Sequence, residues 1–321
     1  MKAKRTFFIE ILVLGFLFNF TCCKKEPVSP NQNGNSQPCD SIIENDSIIG
    51  EDTSVGGFNE INASNALFSV NSLKQVRFSS GNLQYLPVTN TWRFAENQYD
   101  YLTTDYNNIT GNEWIDVFVW ASSGYLYFPS TPFLDNQWVW NSTSSFSHGH
   151  SLAGEYANED WGIYNPIANG GNQAGLWRTL TKYEWDYILN IRHTSSINGI
   201  EDARYSKAAI NEIEGLIIFP DTYAHPTNVP LPNAINNFSA SYTDGYSISE
   251  WEQMENAGAI FLPATGDYHH IGHSPIVSGN YWSTTWSSNP NYLYYDASNV
   301  VIEEERLYTS RAHSVRLVMD N

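Results

Sequence analysis

The chain has 321 residues, of which 41% are hydrophobic and only 16% charged, with 34 acidic side chains against 16 basic ones and a net charge of −18. A chain this acidic repels phosphate backbones, which argues against nucleic acid as a partner. The aromatic content is high, with 11 Trp, 20 Tyr and 16 Phe. Low charge with abundant Tyr, Trp, Asn, Ser and Thr suits an extracellular surface that binds neutral polar ligands.

The first residues read as an export signal. Lys2, Lys4 and Arg5 precede an apolar run from Phe7 to Phe20, too short to span a membrane but of signal-peptide length. Thr21-Cys22-Cys23-Lys24 follows. A Cys directly after such a core resembles the bacterial lipoprotein signal, in which the Cys is lipidated and becomes the new N-terminus. Cys23 fits better than Cys22, because it puts Phe20 at the large apolar position three residues earlier and the small Cys22 just before cleavage. Glu10, inside the core, departs from the pattern. The resemblance implies removal of residues 1–22, lipidation of Cys23, an outer-membrane location facing outward, and membrane contact through the lipid anchor only. Cleavage removes three positive charges and one negative, taking −18 to −20.

Residues 23–63 are rich in Pro, Asn, Gln, Ser, Gly, Asp and Glu and carry no helical or strand period, the composition of a disordered tether. Asp-Ser-Ile-Ile occurs twice, at Asp40–Ile43 and Asp46–Ile49. It resembles the O-glycosylation acceptor of exported Bacteroidota proteins, making Ser41 and Ser47 candidate glycan sites. Cys39 is the last cysteine, so no disulfide is expected in the folded part.

From residue 64 to 321 the sequence reads as a single α+β domain of short antiparallel strands, two capped helices and long irregular loops. Val76 and Phe78 alternate with Gln75 and Arg77, Ser79–Asn82 makes a turn, and Leu83 and Tyr85 alternate again. Trp92-Arg93-Phe94 follows a second turn. The stretch 95–175 is long on loops pegged by Trp114, Val117, Phe118, Trp120 and Trp161. Thr181 with Glu184, and Ser249 with Glu252, have capping-box spacing, and Gly258 marks the second helix's end. Gly215–Asp221 and Ala259–Ala264 are strand-like apolar runs that stop at Pro. In the last forty residues, Gly279–Trp286 and His313–Val318 read as buried strands, and the aromatic and polar middle reads as exposed surface.

Trp177-Arg178-Thr179-Leu180-Thr181-Lys182-Tyr183-Glu184-Trp185 resembles the Trp-Arg-Leu-Pro-Thr-x-x-Glu-Trp signature of the formylglycine-generating-enzyme branch of the C-type lectin fold. Gly279–Thr284 and Ser314–Val318 match that fold's C-terminal strands. The run from about Phe68 to Val318 is similar to Bacteroidota surface lipoproteins with this fold, including relatives diversified by retroelements in the C-terminal stretch. Further marks are the Val76–Tyr85 strand pair, Trp92–Glu96 and Ala257–Ala264. The resemblance implies a C-type-lectin-like fold in which first and last strands pair, placing Lys74–Phe78 beside Ser314–Val318.

The catalytic branch of that fold uses cysteines for copper and redox chemistry, and none follows Cys39. The His-x-x-x-His-x-Glu motif of its iron-dependent relatives is also absent, as are the Glu-Pro-Asn, Gln-Pro-Asp and Trp-Asn-Asp calcium motifs of sugar-binding C-type lectins. His269, His270 and His273, and separately His148 with His150, are the only histidine groups dense enough for a transition metal; no nearby Cys completes a ligand set, and no cofactor is expected. What remains is an aromatic and polar stretch, Trp286, Asn289, Asn291, Tyr292, Tyr294, Tyr308 and Arg311, with rings to stack and Asn and Arg to hydrogen-bond. The expected function is non-enzymatic recognition of a glycan or protein ligand at the cell surface. The alternatives are a metal-dependent enzyme of the formylglycine-generating-enzyme fold and a structural or pilus-tip subunit.

Overall fold

The computed structural model describes residues 62–102, 111–125, 149–266, 268–269, 272–273, 278–304 and 311–321. The signal, Cys23 and nearly all of the tether lie outside the described residues. Those that are described belong to one compact unit, Thr53–Asn321, a strand-rich α+β fold with short helices and small open sheets.

The strands in chain order are β1 (Phe68–Ser69), β2 (Gln75–Phe78), β3 (Leu83–Leu86), β4 (Thr91–Phe94), β5 (Phe118–Val119), β6 (Arg178–Thr179), β7 (Tyr205–Ile210), β8 (Ile213–Ile218), β9 (Asp244–Tyr246), β10 (Ile260–Pro263), β11 (Tyr268–His269), β12 (Gly272–His273), β13 (Gly279–Trp286), β14 (Pro290–Tyr295), β15 (Val300–Glu304), β16 (Ala312–His313) and β17 (Leu317–Asp320). Among the described residues the α-helices are α1 (Trp161–Tyr164), α2 (Lys182–Asp186) and α3 (Ile248–Asn256). The sheets run β1-β2-β17-β6, β10-β8-β7-β9, β12-β11-β16-β5, β13-β14-β15 and β3-β4. Among these strand pairs only β7 with β9 is parallel.

The expected pairing of the first long strand with the last is present, in a shifted register: Val318 faces Phe78, Met319 faces Arg77 and Asp320 faces Val76. The shift arises because Ser314–Arg316 has other work. Ser314 bridges to Tyr281, Val315 C=O accepts from Leu83 N–H at 2.9 Å, and the Arg316 side chain turns into the interior. The Val76–Tyr85 strand pair does not form. Ser79–Asn82 carries the chain out of one sheet into another, where β3 pairs with β4. A Cβ at Gly81 would meet the Ala95 C=O at 2.5 Å, so only glycine passes there.

The Thr181 capping box is present, with Thr181 Oγ1 accepting from Glu184 N–H and Glu184 accepting from Thr181 N–H at 2.8 Å. The second box belongs to Ser247 and Glu250, not Ser249 and Glu252. Both pairs have the required spacing; the earlier one lets α3 begin directly after β9 and buries Trp251 and Met254. Gly258 closes the helix with φ +97°, where an added Cβ would also strike Ala66.

Among the described residues the buried side chains form three hydrophobic clusters. One gathers the loop pegs Phe118, Trp120 and Trp161 with Trp177 and Trp282. The second joins β1, β2, α2 and the inner face of β13–β14. The third packs α3 on the β7–β10 sheet. Two buried arginines join these layers. Arg192 donates to Asp221 at 3.0 Å, and Asp221 also accepts from Ser69 Oγ at 2.6 Å and Gln75 at 2.9 Å. Arg316 donates to Asn82 Oδ1 at 3.3 Å and to Gln98 Oε1. The Gln98 carboxamide behaves like a strand residue along the outer edge of β10: its Oε1 accepts from Phe261 N–H at 2.8 Å and its Nε2 donates to Ala259 C=O at 3.2 Å. Nε2 also donates to Glu255 at 2.9 Å. Burial lowers Arg316 to a pKa of about 10, with Tyr281 and Glu255 opposing that fall.

Candidate ligand-binding face

The site expected from sequence falls on the β13-β14-β15 sheet. Directly opposed residues of an antiparallel ladder share a face. The register Asn280 with Tyr294, Trp282 with Tyr292 and Trp286 with Pro290, then Tyr292 with Glu303 and Tyr294 with Val301, puts Trp282, Trp286, Tyr292, Tyr294, Val301 and Glu303 on one face. Tyr281, Leu293, Tyr295 and Ile302 occupy the other, which packs into the second cluster. Gly279 is where the ladder starts, and a Cβ there would lie 1.9 Å from the Tyr295 ring.

The expected exposed middle is instead the central strand of this sheet, covered on both sides. Asn291 and Tyr292, read from sequence as ligand contacts, are interior residues, only 3% and 6% exposed. Asn291 Nδ2 donates to Asn289 C=O at 3.0 Å and to Ser287 Oγ at 3.3 Å, closing the turn between β13 and β14. The Tyr292 ring lies 4.6 Å from that of His313 and 5.9 Å from that of Trp282, and its hydroxyl donates to Glu303 at 3.2 Å. Both therefore form the wall behind a surface rather than the surface.

The remaining described candidates are partly exposed. Trp286 packs on Trp120 with ring centroids 5.3 Å apart, and its backbone N–H donates to Ser151 Oγ at 2.9 Å. Asn289 sits in the β13–β14 turn, its C=O accepting from Ser287 N–H at 3.0 Å. Tyr294 donates its hydroxyl to Asp296 at 2.6 Å. Burial pushes the Asp296 carboxyl up, but Tyr294 and the N–H groups of Ser298 and Asn299 outweigh it and hold the pKa below the ordinary value. Arg311 lies just before β16. Pro290 opposes Trp286, and four strand steps separate it from Tyr294, so the two side chains leave the sheet at backbone positions roughly 13 Å apart. Tyr308 and His270 lie outside the described residues, as do the side chains of His269 and His273.

The site expected from sequence leaves out Asp296, and the sequence reads Glu303 as part of a solvated acidic hairpin; these carboxylates fix the two tyrosine hydroxyls. Asp296 lies two residues from Tyr294, a local turn signal that could have found it. Glu303 needed the strand register. His150, expected in a histidine pair, lies 3.2 Å from both Glu159 oxygens and stacks on Tyr156 at 3.4 Å. No group of three His, Cys, Asp or Glu side chains is placed to hold a metal among the described residues. Compared with known protein families, curated proteins and solved structures, the chain matches none.

Proposed function

We propose that the chain is a surface-displayed lipoprotein whose folded unit, of C-type-lectin-like architecture, recognises an elongated glycan or polypeptide without catalysis. The observation that carries this reading is the pair of partly exposed rings, Trp286 and Tyr294, which rest against the first cluster on one face of a sheet whose other face packs into the second. Each ring is held before any ligand arrives: Trp286 by Trp120 and Ser151, Tyr294 by Asp296. Prepositioned aromatics lose little entropy on binding and offer faces to sugar rings or apolar side chains. Their separation favours an extended ligand over a single sugar. The pairing of β2 with β17 supports the C-type-lectin-like assignment.

The test is to present the intact chain to glycan and exported-protein arrays, then repeat with Trp286→Ala and Tyr294→Ala. The expected result is saturable binding that each substitution weakens by about tenfold while cooperative unfolding shows the fold retained, at a lowered midpoint. Binding indifferent to both substitutions removes the face from consideration, and blank arrays refute recognition itself.

A further inference from the structure

Several sheet edges in this molecule are closed by identifiable groups. The edge of β10 is taken by the Gln98 carboxamide. The Thr179 N–H of β6 donates to Asp160 at 2.9 Å. Ser69 N–H of β1 donates to Asp221 at 3.1 Å. The outer side of β13 bonds to Ser314 and Leu180. Strand β15 differs: among the described residues its outer side meets no strand.

The backbone direction follows from the neighbouring bonds. Ser314 N–H donates to Asn280 C=O, and Trp282 N–H donates to Ser314 C=O, both at 3.0 Å. Asn280 and Trp282 therefore face away from β14, and Tyr281 faces it. Alternation along the ladder turns Leu293 toward β13 and Tyr292 and Tyr294 toward β15. In β15, Val301 and Glu303 then bond to β14, while the N–H and C=O groups of Val300, Ile302 and Glu304 point outward.

We infer that β15 is a strand-addition site for an extended polypeptide segment in which Lys or Arg alternates with apolar residues. The outward backbone groups supply the ladder. On one face the incoming side chains meet exposed Glu303 and Val301, the latter 37% exposed. On the other they meet half-buried Val300 and Ile302, which with Tyr242 skirt the second cluster. The charge selects a cationic partner: Glu303 is exposed beside the ladder on a chain of net charge −18. The same charge disfavours a second copy of the chain, which would bring −18 against −18. This site does not depend on the aromatic face having a ligand.

The experiment is fluorescence anisotropy of the intact chain with a short end-blocked peptide of alternating lysine and valine. The comparisons are the same peptide N-methylated at alternate residues, a glutamate-for-lysine peptide, and the variants Ile302→Pro, Glu303→Gln and Trp286→Ala. Because the Ile302 N–H points outward, proline removes an edge donor without breaking the β14–β15 ladder. The expected result is saturable binding of the lysine peptide, weakened about tenfold or more by N-methylation and by Ile302→Pro and several-fold by Glu303→Gln. The glutamate peptide should fail to bind, and Trp286→Ala should leave binding unchanged. The inference is overturned by equal binding of the N-methylated peptide, by undiminished binding to Ile302→Pro, or by no saturation up to about 1 mM. It is likewise overturned if light scattering shows the chain dimerising through this edge, with Ile302→Pro restoring the monomer. Loss of peptide binding in Trp286→Ala would instead move the segment to the aromatic face, so failure of one proposal is separable from failure of the other.

Discussion

Asp160 is a buried carboxylate with no salt bridge among the described residues. Its Oδ1 accepts from Gly162 N–H and its Oδ2 from Thr179 N–H, both at 2.9 Å, so it caps α1 and closes the edge of β6 at once. Burial raises its pKa from 3.8 to about 6, and the backbone donors only partly offset this. Between those two values the folded state holds the proton more tightly than the unfolded chain. Asp160 therefore contributes stability that is fully present below pH 3.8 and is lost as pH rises through about 6. The interval is roughly two pH units, and at about 1.4 kcal/mol per unit the swing is about 3 kcal/mol. Asp160→Asn removes this titration and adds a constant penalty, because the amide turns a donor toward one of the two N–H groups. The difference in unfolding free energy, variant minus wild type, should rise by about 3 kcal/mol from pH 3.5 to pH 7. Urea unfolding followed by tryptophan fluorescence at a series of pH values reads it, and all other titrating groups cancel in the difference. A difference flat to within about 0.5 kcal/mol would refute the assignment of a desolvated carboxylate to this position.

Two further substitutions probe the fold directly. Ser247→Ala should cost about 1 kcal/mol in equilibrium unfolding while Ser249→Ala costs almost nothing, since the Glu250 N–H is capped by Ser247; equal effects would move the helix start. Gly279→Ala forces a methyl into the Tyr295 ring and should destabilise by about 1–3 kcal/mol or prevent folding, read as a lower midpoint or loss of soluble chain. An unchanged midpoint would mean the ring moves freely.

Strands whose two faces have different surroundings were legible in the sequence. β2 alternates because Val76 and Phe78 face the core and Gln75 and Arg77 do not. The apolar runs Gly215–Ile218 and Ile260–Leu262 likewise read as strands, and both are buried throughout. The same reasoning failed at β14, where aromatic and amide side chains serve as core and five of the six residues are buried, with Tyr294 alone partly exposed, so period two carries little information. It also failed at Ser79–Asn82, whose composition suits a hairpin turn and a crossing between sheets equally well. Deciding between them needs the Gly81–Ala95 approach, a contact between distant residues. The Ser247 and Ser249 caps were indistinguishable locally; the burial of Trp251 and Met254 selects the first. Of the candidate face, the aromatic identities were legible, but which rings stand outward depended on the strand register.

The Gln98 carboxamide is constrained from four sides. Its oxygen answers two donors, Phe261 N–H and Arg316, and its nitrogen answers two acceptors, Ala259 C=O and Glu255. A half-turn about the terminal bond would oppose donor to donor and acceptor to acceptor at every partner, so the amide has one admissible orientation. Position 98 therefore acts as a chemical lock with a single key: glutamate lacks the donor, methionine and leucine lack both, and asparagine is a methylene short. Replacing this glutamine takes a partner from Glu255 and from Arg316 at once, besides freeing two backbone groups, so a change at position 98 is felt at both charged side chains.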